Sequence, residues 1–381
     1  MSQTPDVIVL GAGIVGAACA RSCAQAGLSV LVLDRGPIGG GTTAAGMGHL
    51  VVMDDSEAQF ALTSRSCQLW QELRAELPED VEYDNCGTLW VAADDEEMAE
   101  VDRKARFYQE RGVAVEILDA AGVASSEPEL RPGLAGGLRV PADAVIYPPC
   151  AAAYLLADAR RKGGRVEMDC NAGVAAIEGP GSVRLTSGRQ IQGGIVVVAA
   201  GALTPLLVPG LPIKKRKGHL VITDRYPGFA HHQIVELGYL KSAHATQADS
   251  VAFNIQPRKT GQMLIGSSRQ YNAEGTEVEP HLLGRMLKRA ESYMPRIGQL
   301  SALRVWTGHR AATPDKLPII GPVPGNDRTW IASGHEGLGI TTSLATAEIL
   351  VDRLMGRNPA IPAAPYDPAR FEHAAKEPTH A

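Results

Sequence analysis

The feature that most constrains the fold is a short apolar run followed at once by closely spaced glycines near the N-terminus. Asp6–Leu10 reads DVIVL, a pattern typical of a buried parallel strand, and GAGIVG follows at 11–16. A run of small residues then predicts a helix that ends at Gly27. Ser29–Asp34 (SVLVLD) predicts a second buried strand. Strand, helix and strand within about 30 residues predict a βαβ unit.

The glycine spacing in this unit predicts a dinucleotide site. Gly11 permits a tight turn, Gly13 lets a pyrophosphate approach the backbone, and Gly16 lets helix and strand pack closely. The N-terminus of the helix offers amide groups and the positive end of its dipole to phosphates. Asp34 ends the second strand, where a carboxylate can accept a ribose hydroxyl. We therefore expect this unit to hold a dinucleotide cofactor.

A glycine- and threonine-rich segment after Asp34 favours FAD over NAD. The segment GGGTTAAGMG at 39–48 contains too much glycine to be a packing element. Its amides and the hydroxyls of Thr42 and Thr43 are suited to line the rest of an extended cofactor, down to a flavin ring. A flexible surface loop is the alternative. The apolar His49–Met53 that follows indicates a buried segment instead.

Charge and cysteine content exclude several classes of partner. The 381 residues include 37 basic and 42 acidic side chains, which argues against a nucleic acid or an anionic membrane as the main partner. Six cysteines without a C-x-x-C spacing argue against a metal cage and suit a reducing cytoplasm. Met1–Asp6 lacks the basic start of a signal peptide, and prolines interrupt the uncharged stretch Gln190–Ile213. We expect a cytoplasmic protein with no metal and no integral membrane contact.

Several motifs together resemble the D-amino-acid-oxidase and glycine-oxidase superfamily of FAD-dependent amine oxidoreductases. The resemblance covers nearly the whole chain. It is carried by GAGIVGAACA at 11–20, LDRG at 33–36, GTTAAGMGHL at 41–50, VVVAAGA at 196–202, GHRAATPDKLPIIG at 308–321 and SGHEGLGITTSLATAEIL at 333–350. Relatives that attach flavin covalently do so through a late cysteine. Because no cysteine lies beyond Cys170, the resemblance implies noncovalent FAD.

The resemblance also implies the fold. It predicts an α/β protein in which a Rossmann-like FAD-binding domain is interleaved with an α+β substrate domain built on a mostly antiparallel sheet. The expected bounds are 1–80, 145–213 and 310–365 for the FAD-binding domain, 81–144 and 214–309 for the substrate domain, and 366–381 for a loosely attached tail. The positions expected to contact the cofactor are Gly11, Gly13, Ile14, Val15, Gly16, Asp34, Arg35, Gly41, Thr42, Thr43, Gly46, Met47, Gly48, Val174, Ala200, Gly201, Gly334, Gly337, Leu338, Gly339, Ile340 and Thr341.

The chemistry of the superfamily needs an anchor for a substrate carboxylate. Its members move a hydride from the α-carbon of an amino acid to the flavin N5. Arg310 matches a carboxylate-binding arginine that stands before a T-P-D turn, and a guanidinium fork suits a carboxylate. The alternative is a strand-end arginine paired with Asp315. Two departures matter: Asn254 replaces a substrate-facing tyrosine, and Gly337 replaces an arginine present in some relatives.

Three histidines fall in segments expected to face the cofactor. These are His49, His219 and His335, and each is suited to donate to the flavin or to accept a proton from the substrate. A structural role is the safer interpretation for each one alone, but we expect one of them to be functional. We expect catalysis to rest on Arg310, His49, His335 and Asn254.

The substrate prediction comes from the resemblance alone. GGGTTAAGMGHLVVMDDS at 39–56 and GHEGLGITT at 334–342 look most like catalytic subunits of bacterial D-hydroxyproline dehydrogenases. Subunits of hydrogen cyanide synthase and opine oxidase are similar. This implies oxidation of D-4-hydroxyproline, with electrons passed to partner subunits. A glycine or sarcosine oxidase producing peroxide is the alternative, and an electron-transfer or scaffold flavoprotein is another. The basic run Lys214–Lys217 predicts a solvated loop, or a surface for a second flavin or a partner.

Overall fold

The computed structural model describes residues 4–161, 166–238 and 249–371. Its strands are β1 (Val7–Leu10), β2 (Val30–Leu33), β3 (His49–Leu50), β4 (Thr88–Ala92), β5 (Glu116–Asp119), β6 (Gly136–Val140), β7 (Ala144–Val145), β8 (Val166–Asp169), β9 (Val174–Ile177), β10 (Ser182–Leu185), β11 (Gln190–Gln192), β12 (Ile195–Val198), β13 (Lys214–Thr223), β14 (Gln233–Glu236), β15 (Ser250–Pro257), β16 (Met263–Arg269), β17 (Ala302–Ala312), β18 (Ile319–Val323) and β19 (Asn326–Ser333). Its α-helices are α1 (Ile14–Gln25), α2 (Thr42–Ala45), α3 (Glu57–Leu73), α4 (Asp95–Glu110), α5 (Ala120–Ser126), α6 (Pro148–Arg161), α7 (Thr204–Leu207), α8 (Pro280–Tyr293) and α9 (Gly339–Leu354).

Short β-branched runs form the centre of a six-stranded sheet in the order β18–β19–β12–β1–β2–β8. β1 pairs in parallel with both β2 and β12, and all of its residues are buried. The parallel pairing continues to β8 on one side and to β19 on the other, where β18 joins antiparallel. Parallel strands covered on both faces are apolar throughout, which explains why continuous apolar runs predict them.

Helices α1, α3, α6 and α9 pack together against this sheet. Their buried apolar faces form one core, in which Trp70 of α3, Leu155 of α6 and Leu344 of α9 take part. A bidentate ion pair ties α3 to α9, because Nε and Nη2 of Arg65 lie 2.8 and 2.6 Å from the carboxylate oxygens of Glu348. The ion pair thus fixes the C-terminal half of α9 relative to α3.

A second sheet of eight strands has the order β17–β13–β16–β15–β14–β4–β6–β5. Its neighbours pair antiparallel except β14 and β4, which are parallel. Helix α8 packs on this sheet, where the ring of Tyr293 stacks on Phe253 with centroids 5.0 Å apart. The two smaller sheets are β9–β10–β11 and the pair β3–β7.

The chain passes back and forth between the two large sheets. The first takes its strands from 7–33, 166–198 and 319–333, and the second from 88–140 and 214–312. The expected α/β fold with an interleaved, mostly antiparallel second sheet is therefore confirmed. The domain bounds given above stay a prediction. None of the described helices combines the length and the apolar character that crossing a bilayer requires.

Two expectations about the surface need revision. Lys214–Lys217 is the beginning of β13 and not a loop. The segment expected to form a tail is packed where it begins, because Tyr366 is buried and its hydroxyl donates to the carbonyl of Ala58. Arg370 then forms an ion pair with Asp315. Residues 372–381 of the expected tail lie outside the described residues.

Candidate active site

A cleft of about 380 Å³ opens where the two large sheets meet. The carboxyl ends of β1, β2, β12 and β19 border it on one side, and β13, β15, β16 and β17 border it on the other. Most of the expected site residues line this cleft: Gly11, Gly13, Ile14, Val15, Asp34, Arg35, Gly41, Thr42, Thr43, Gly46, Met47, His49, Val174, Ala200, Gly201, Asn254, Gly334, His335, Gly337, Gly339, Ile340 and Arg310. The fold thus brings together residues that are up to 329 positions apart in the chain, from Gly11 to Ile340.

The backbone around the start of α1 is packed so closely that a Cβ at its glycines would meet neighbouring atoms. Gly11 has a φ of +117°, and a Cβ there would lie 2.5 Å from the carbonyl oxygen of Ala199. A Cβ at Gly16 would overlap the carbonyl oxygen of Gly11, so the helix could not pack on β1. A Cβ at Gly13 would lie 3.1 Å from Oγ1 of Thr43. This cradle at the N-terminus of α1 fits the pyrophosphate of a dinucleotide.

Asp34 lies beside this cradle at the end of β2. Its Oδ2 accepts a hydrogen bond of 2.6 Å from the backbone N–H of Ala12, and its Oδ1 accepts one of 2.9 Å from Gly36. The carboxylate therefore holds the glycine turn in place. Each carboxylate oxygen has a second lone pair, and Asp34 lines the cleft, so it can also accept a ribose hydroxyl.

The glycine- and threonine-rich segment is tied to both sides of the cleft. Oγ1 of Thr43 accepts a hydrogen bond of 3.0 Å from the backbone N–H of Ile14 and so caps α1. Oγ1 of Thr42 donates to the carbonyl of His309 on β17 over 2.7 Å. The alternative of a flexible surface loop does not describe this segment, because each threonine has a long-range partner.

Four expected cofactor residues do not line the cleft: Gly16, Gly48, Leu338 and Thr341. They act through packing. A Cβ at Gly48 would overlap the carbonyl of Ile146, and the N–H of Gly48 donates to Oε1 of Gln256 over 2.8 Å. Oγ1 of Thr341 donates to the carbonyl of His49 over 2.8 Å. A sequence motif includes such packing residues together with the residues that line the cleft, because the motif does not distinguish a contact to ligand from a contact to backbone.

Polar groups gather at the end of the cleft away from the α1 glycines. Nη1 of Arg310 donates to the carbonyl of Ser268 over 3.0 Å, and the side chain passes over Gly218 of β13. Nε2 of His49, Oδ1 of Asn254 and Oγ of Ser267 are buried without a hydrogen-bond partner. Burying such atoms costs free energy unless a ligand or water pairs with them. This end of the cleft therefore has the character of a binding site for a small polar molecule.

The three histidines have different surroundings. Burial lowers the pKa of His49 and of His335 to about 3, so both rings are neutral at ordinary pH. Nε2 of His335 lies 3.0 Å from Oγ1 of Thr346. His219 does not line the cleft, contrary to expectation, because it accepts from the N–H of Glu279 at Nε2 and contacts Oγ of Ser268 at Nδ1. Burial, more than the nearby cations, lowers the pKa of His219 as well.

Asp315, the alternative partner of Arg310, forms an ion pair with Arg370. The basic run at the start of β13 is also paired. Its members Lys215, Arg216 and Lys217 contact, in that order, Glu274, Glu336 and Glu279. Among the described residues, no group of three or more histidines, cysteines or acids is placed to hold a metal ion.

Ser267 and Glu336 are among the cleft residues that sequence reasoning missed. Ser267 lies in the strand segment MLIGSSR, which contains no signal for a ligand contact. Glu336 stands inside the expected GHEGLG turn, and its signal was an acid in a glycine-rich turn that was otherwise assigned to the cofactor. Both line the cleft near Arg310.

Comparisons with known proteins agree with this geometry. A family model described as "DAO: FAD dependent oxidoreductase" matches residues 6–353. The chain is 28% identical to a glycine oxidase of Pseudomonas aeruginosa, covering 95% of this chain and 98% of the relative. It is 27% identical to the hydrogen cyanide synthase subunit HcnC of the same organism, covering 98% and 97%. The crystal structure of glycine oxidase from Geobacillus kaustophilus superposes with a TM-score of 0.86 at 24% identity, covering 96% and 98%.

Proposed function

We propose that this chain, which belongs to the family of FAD-dependent oxidoreductases, oxidises the Cα–N bond of a small secondary or cyclic α-amino acid. The observation that carries the proposal is the position of Arg310. Arg310 lines the same cleft as the glycine cradle and as His49, Asn254 and Ser267, whose side chains each have a buried polar atom without a hydrogen-bond partner. An amino acid has the charge and the donors that these groups require.

The residues of the cleft fit FAD. The cradle of Gly11 and Gly13 would hold the pyrophosphate, Asp34 the adenosine ribose, and the N-terminus of α9 the far end of the cofactor. Bound FAD supplies the acceptor for the hydride that leaves the substrate α-carbon. A helix N-terminus stabilises negative charge through its amides and its dipole, so Gly339 and Ile340 are placed to favour an electron-rich ring.

Arg310 would bind the substrate carboxylate. A guanidinium holds a carboxylate through two parallel charge-assisted hydrogen bonds, which also orients the α-carbon. The contact of Nη1 with the carbonyl of Ser268 restricts the rotation of the side chain. The guanidinium is thereby held in a direction that the fold sets, so less entropy is lost when the substrate binds.

The amine would be recognised by neutral groups. A neutral secondary amine has a single N–H, and Oδ1 of Asn254 is a buried acceptor without a partner. His49 lines the same cleft, but its pKa of about 3 makes the ring a poor general base at neutral pH. We therefore assign to His49 a hydrogen bond to substrate or cofactor. The substrate ammonium would lose its proton to solvent before its α-hydrogen is transferred.

D-4-hydroxyproline is the substrate that we propose within this class. The support is the resemblance of the segments at 39–56 and 334–342 to catalytic subunits of D-hydroxyproline dehydrogenases. One relative, HcnC, is itself named as a subunit, which supports electron transfer to a partner protein. The second candidate is a glycine-oxidase-type reaction with oxygen as acceptor, which the similarity to glycine oxidases favours.

Anaerobic bleaching of the bound flavin tests both. The holoenzyme is mixed with glycine, sarcosine, D-proline or cis-4-hydroxy-D-proline, and air is then admitted. Bleaching by hydroxyproline with slow recovery in air supports the partner-dependent dehydrogenase. Bleaching by glycine or sarcosine with fast recovery supports the oxidase. No bleaching by any of the four would overturn the proposed substrate class.

A further inference from the structure

Two arginines stand directly opposite each other beside the cleft. Strands β13 and β17 pair antiparallel with Arg216 opposite Arg310. Residues opposite each other in such a pair project from the same face of the sheet. Alternate residues of β13 share that face, and both Gly218 and Leu220 line the cleft. The side chain of Arg216 therefore lies on the cleft face, next to the proposed carboxylate anchor.

Like charges placed in this way repel and need a counter-ion. Glu336 provides it. The carboxylate of Glu336 forms an ion pair with the guanidinium of Arg216, and the two side chains are only 11% and 9% exposed. Tyr271 contacts the same guanidinium from another side, with its hydroxyl 3.3 Å from Nη1. Glu336 lines the cleft, whereas Arg216 does not.

The backbone holds Glu336 in this position. Its φ of 54° lies in the left-handed region, which non-glycine residues adopt rarely. Its N–H donates to the carbonyl of Ala311, the neighbour of Arg310, over 2.9 Å. The turn that contains Glu336 is thus hydrogen-bonded to β17 beside Arg310. The carboxylate of Glu336 therefore lies between Arg216 and the cleft.

We propose that Glu336 masks Arg216 and so restricts the site to amino acids with a single carboxylate. The inference rests on the proposed function, because it takes Arg310 as the carboxylate anchor. With Glu336 present, the charges of Arg216, Arg310 and Glu336 sum to +1, which suits a substrate with one carboxylate. Without it, the two neighbouring guanidinium groups would form a site for a dicarboxylate. A second carboxylate on the substrate is therefore repelled by Glu336 in the native protein.

A matched pair of unreactive ligands tests this restriction. (Methylthio)acetate and thiodiacetate have the shapes of sarcosine and iminodiacetate, with sulfur in place of nitrogen, and differ only by one carboxylate. Their dissociation constants for the holoenzyme are measured by titration calorimetry. We expect the wild-type protein to bind the monocarboxylate more tightly. Glu336→Gln should shift the affinity ratio toward thiodiacetate by at least about tenfold, because Arg216 becomes available to the second carboxylate.

Two further variants identify Arg216 as the cause of the shift. The double variant Glu336→Gln with Arg216→Met should lose the gain. Arg216→Met alone leaves the acid without its cation, so we expect thiodiacetate to bind more weakly than to the wild-type protein. Lys215→Met is the matched control, because Lys215 is paired with Glu274 on the opposite face of β13. It should leave the ratio unchanged.

An unchanged ratio in Glu336→Gln would overturn the proposal, and so would a gain that persists in the double variant. Failure of both ligands to bind the wild-type protein and Glu336→Gln would also overturn it. If Glu336→Gln does not fold, Arg216→Met is the deciding variant, because equal weakening of the binding of both ligands would contradict the masking of Arg216 by Glu336.

These ligands have no Cα–N bond to oxidise. A failure of the flavin-bleaching experiment would therefore refute the proposed substrate class and leave the binding result to be judged separately.

Discussion

Arg310 illustrates how neighbouring residues decide the role of a side chain. The competing interpretation is an ion pair with Asp315, but the carboxylate of Asp315 pairs with Arg370 from beyond α9. The guanidinium of Arg310 passes over Gly218, where any Cβ would overlap it, and contacts the carbonyl of Ser268. A guanidinium held in this way at the wall of a cleft is suited to bind an anion.

We expect Arg310→Ala to lower kcat/KM for the physiological amino acid by about 10²- to 10³-fold, equivalent to about 3–4 kcal/mol of transition-state stabilisation. The physical reason is the loss of the charged carboxylate anchor. The rate of flavin reduction is measured against substrate concentration under anaerobic conditions. Arg304→Ala is the matched control, because Arg304 is an exposed arginine of the same strand and does not line the cleft. A change of less than about threefold in Arg310→Ala would contradict the anchor role.

At the scale of elements, the β1–α1–β2 unit depends on close contact between helix and strand. Gly16 lies where a Cβ would overlap the carbonyl oxygen of Gly11, and the N–H of Gly11 donates to the carbonyl of Leu33 on β2. Thr43 reaches back from α2 to cap the N-terminus of α1. The geometry of the phosphate cradle is thus determined by packing among three elements.

Gly16→Ala should therefore lose most of its FAD, because the added methyl group pushes α1 away from β1 and distorts the cradle. The ratio of flavin to protein absorbance after purification, together with the unfolding temperature, measures the effect. Gly284→Ala is the control in a helix, since a Cβ there meets nothing within 4 Å. Alanine is better than glycine in a helix by up to about 1 kcal/mol, so the control should keep its flavin and unfold no earlier. Full flavin content in Gly16→Ala would show that the cradle tolerates the displacement.

At the scale of the whole molecule, the fold buries several titratable groups. Burial lowers the pKa of His49 and His335 to about 3, so both stay neutral in the folded protein. Burial also raises the pKa of Asp143 to about 7, although Thr88 and the backbone N–H of Val52 donate to its carboxylate. These groups make the stability of the molecule depend on pH with opposite signs.

The sign of the net dependence follows from proton counting. Between about pH 5 and 6.5 the unfolded chain binds a proton at each of the two histidines, and the folded protein binds one at Asp143. These three groups should therefore lower the unfolding free energy on acidification by about 1.4 kcal/mol per pH unit as they approach full protonation, and His219, whose pKa burial also lowers, should steepen the fall. Denaturant unfolding at a series of pH values measures this slope.

Two variants separate the contributions. His335→Gln should flatten the slope, because one proton fewer is taken up on unfolding, and Asp143→Asn should steepen it. His231→Gln is the control, because His231 is an exposed histidine. A slope that is the same in all four proteins would contradict the burial of these groups.

Local patterns were sufficient for much of the fold. The sequence predicts the β1–α1–β2 unit, because hydrophobic period and glycine spacing act over neighbouring residues. It also predicts the interleaving of the second sheet with the first. The beginning of β13 is not predicted as a strand, since the run Lys214–Lys217 looks like a solvated loop when its partner acids are distant in sequence.

By itself, the sequence determined the family and the glycine-rich β1–α1–β2 unit. Only the tertiary structure decided which side chains meet at the cleft. It placed His219 outside the cleft and Ser267 inside it, and it paired Glu336, which lines the cleft, with Arg216, which does not. The physical reason is that local sequence sets the alternation of faces along a strand, whereas the charge and burial of a side chain depend on strands and turns that pair across more than a hundred residues.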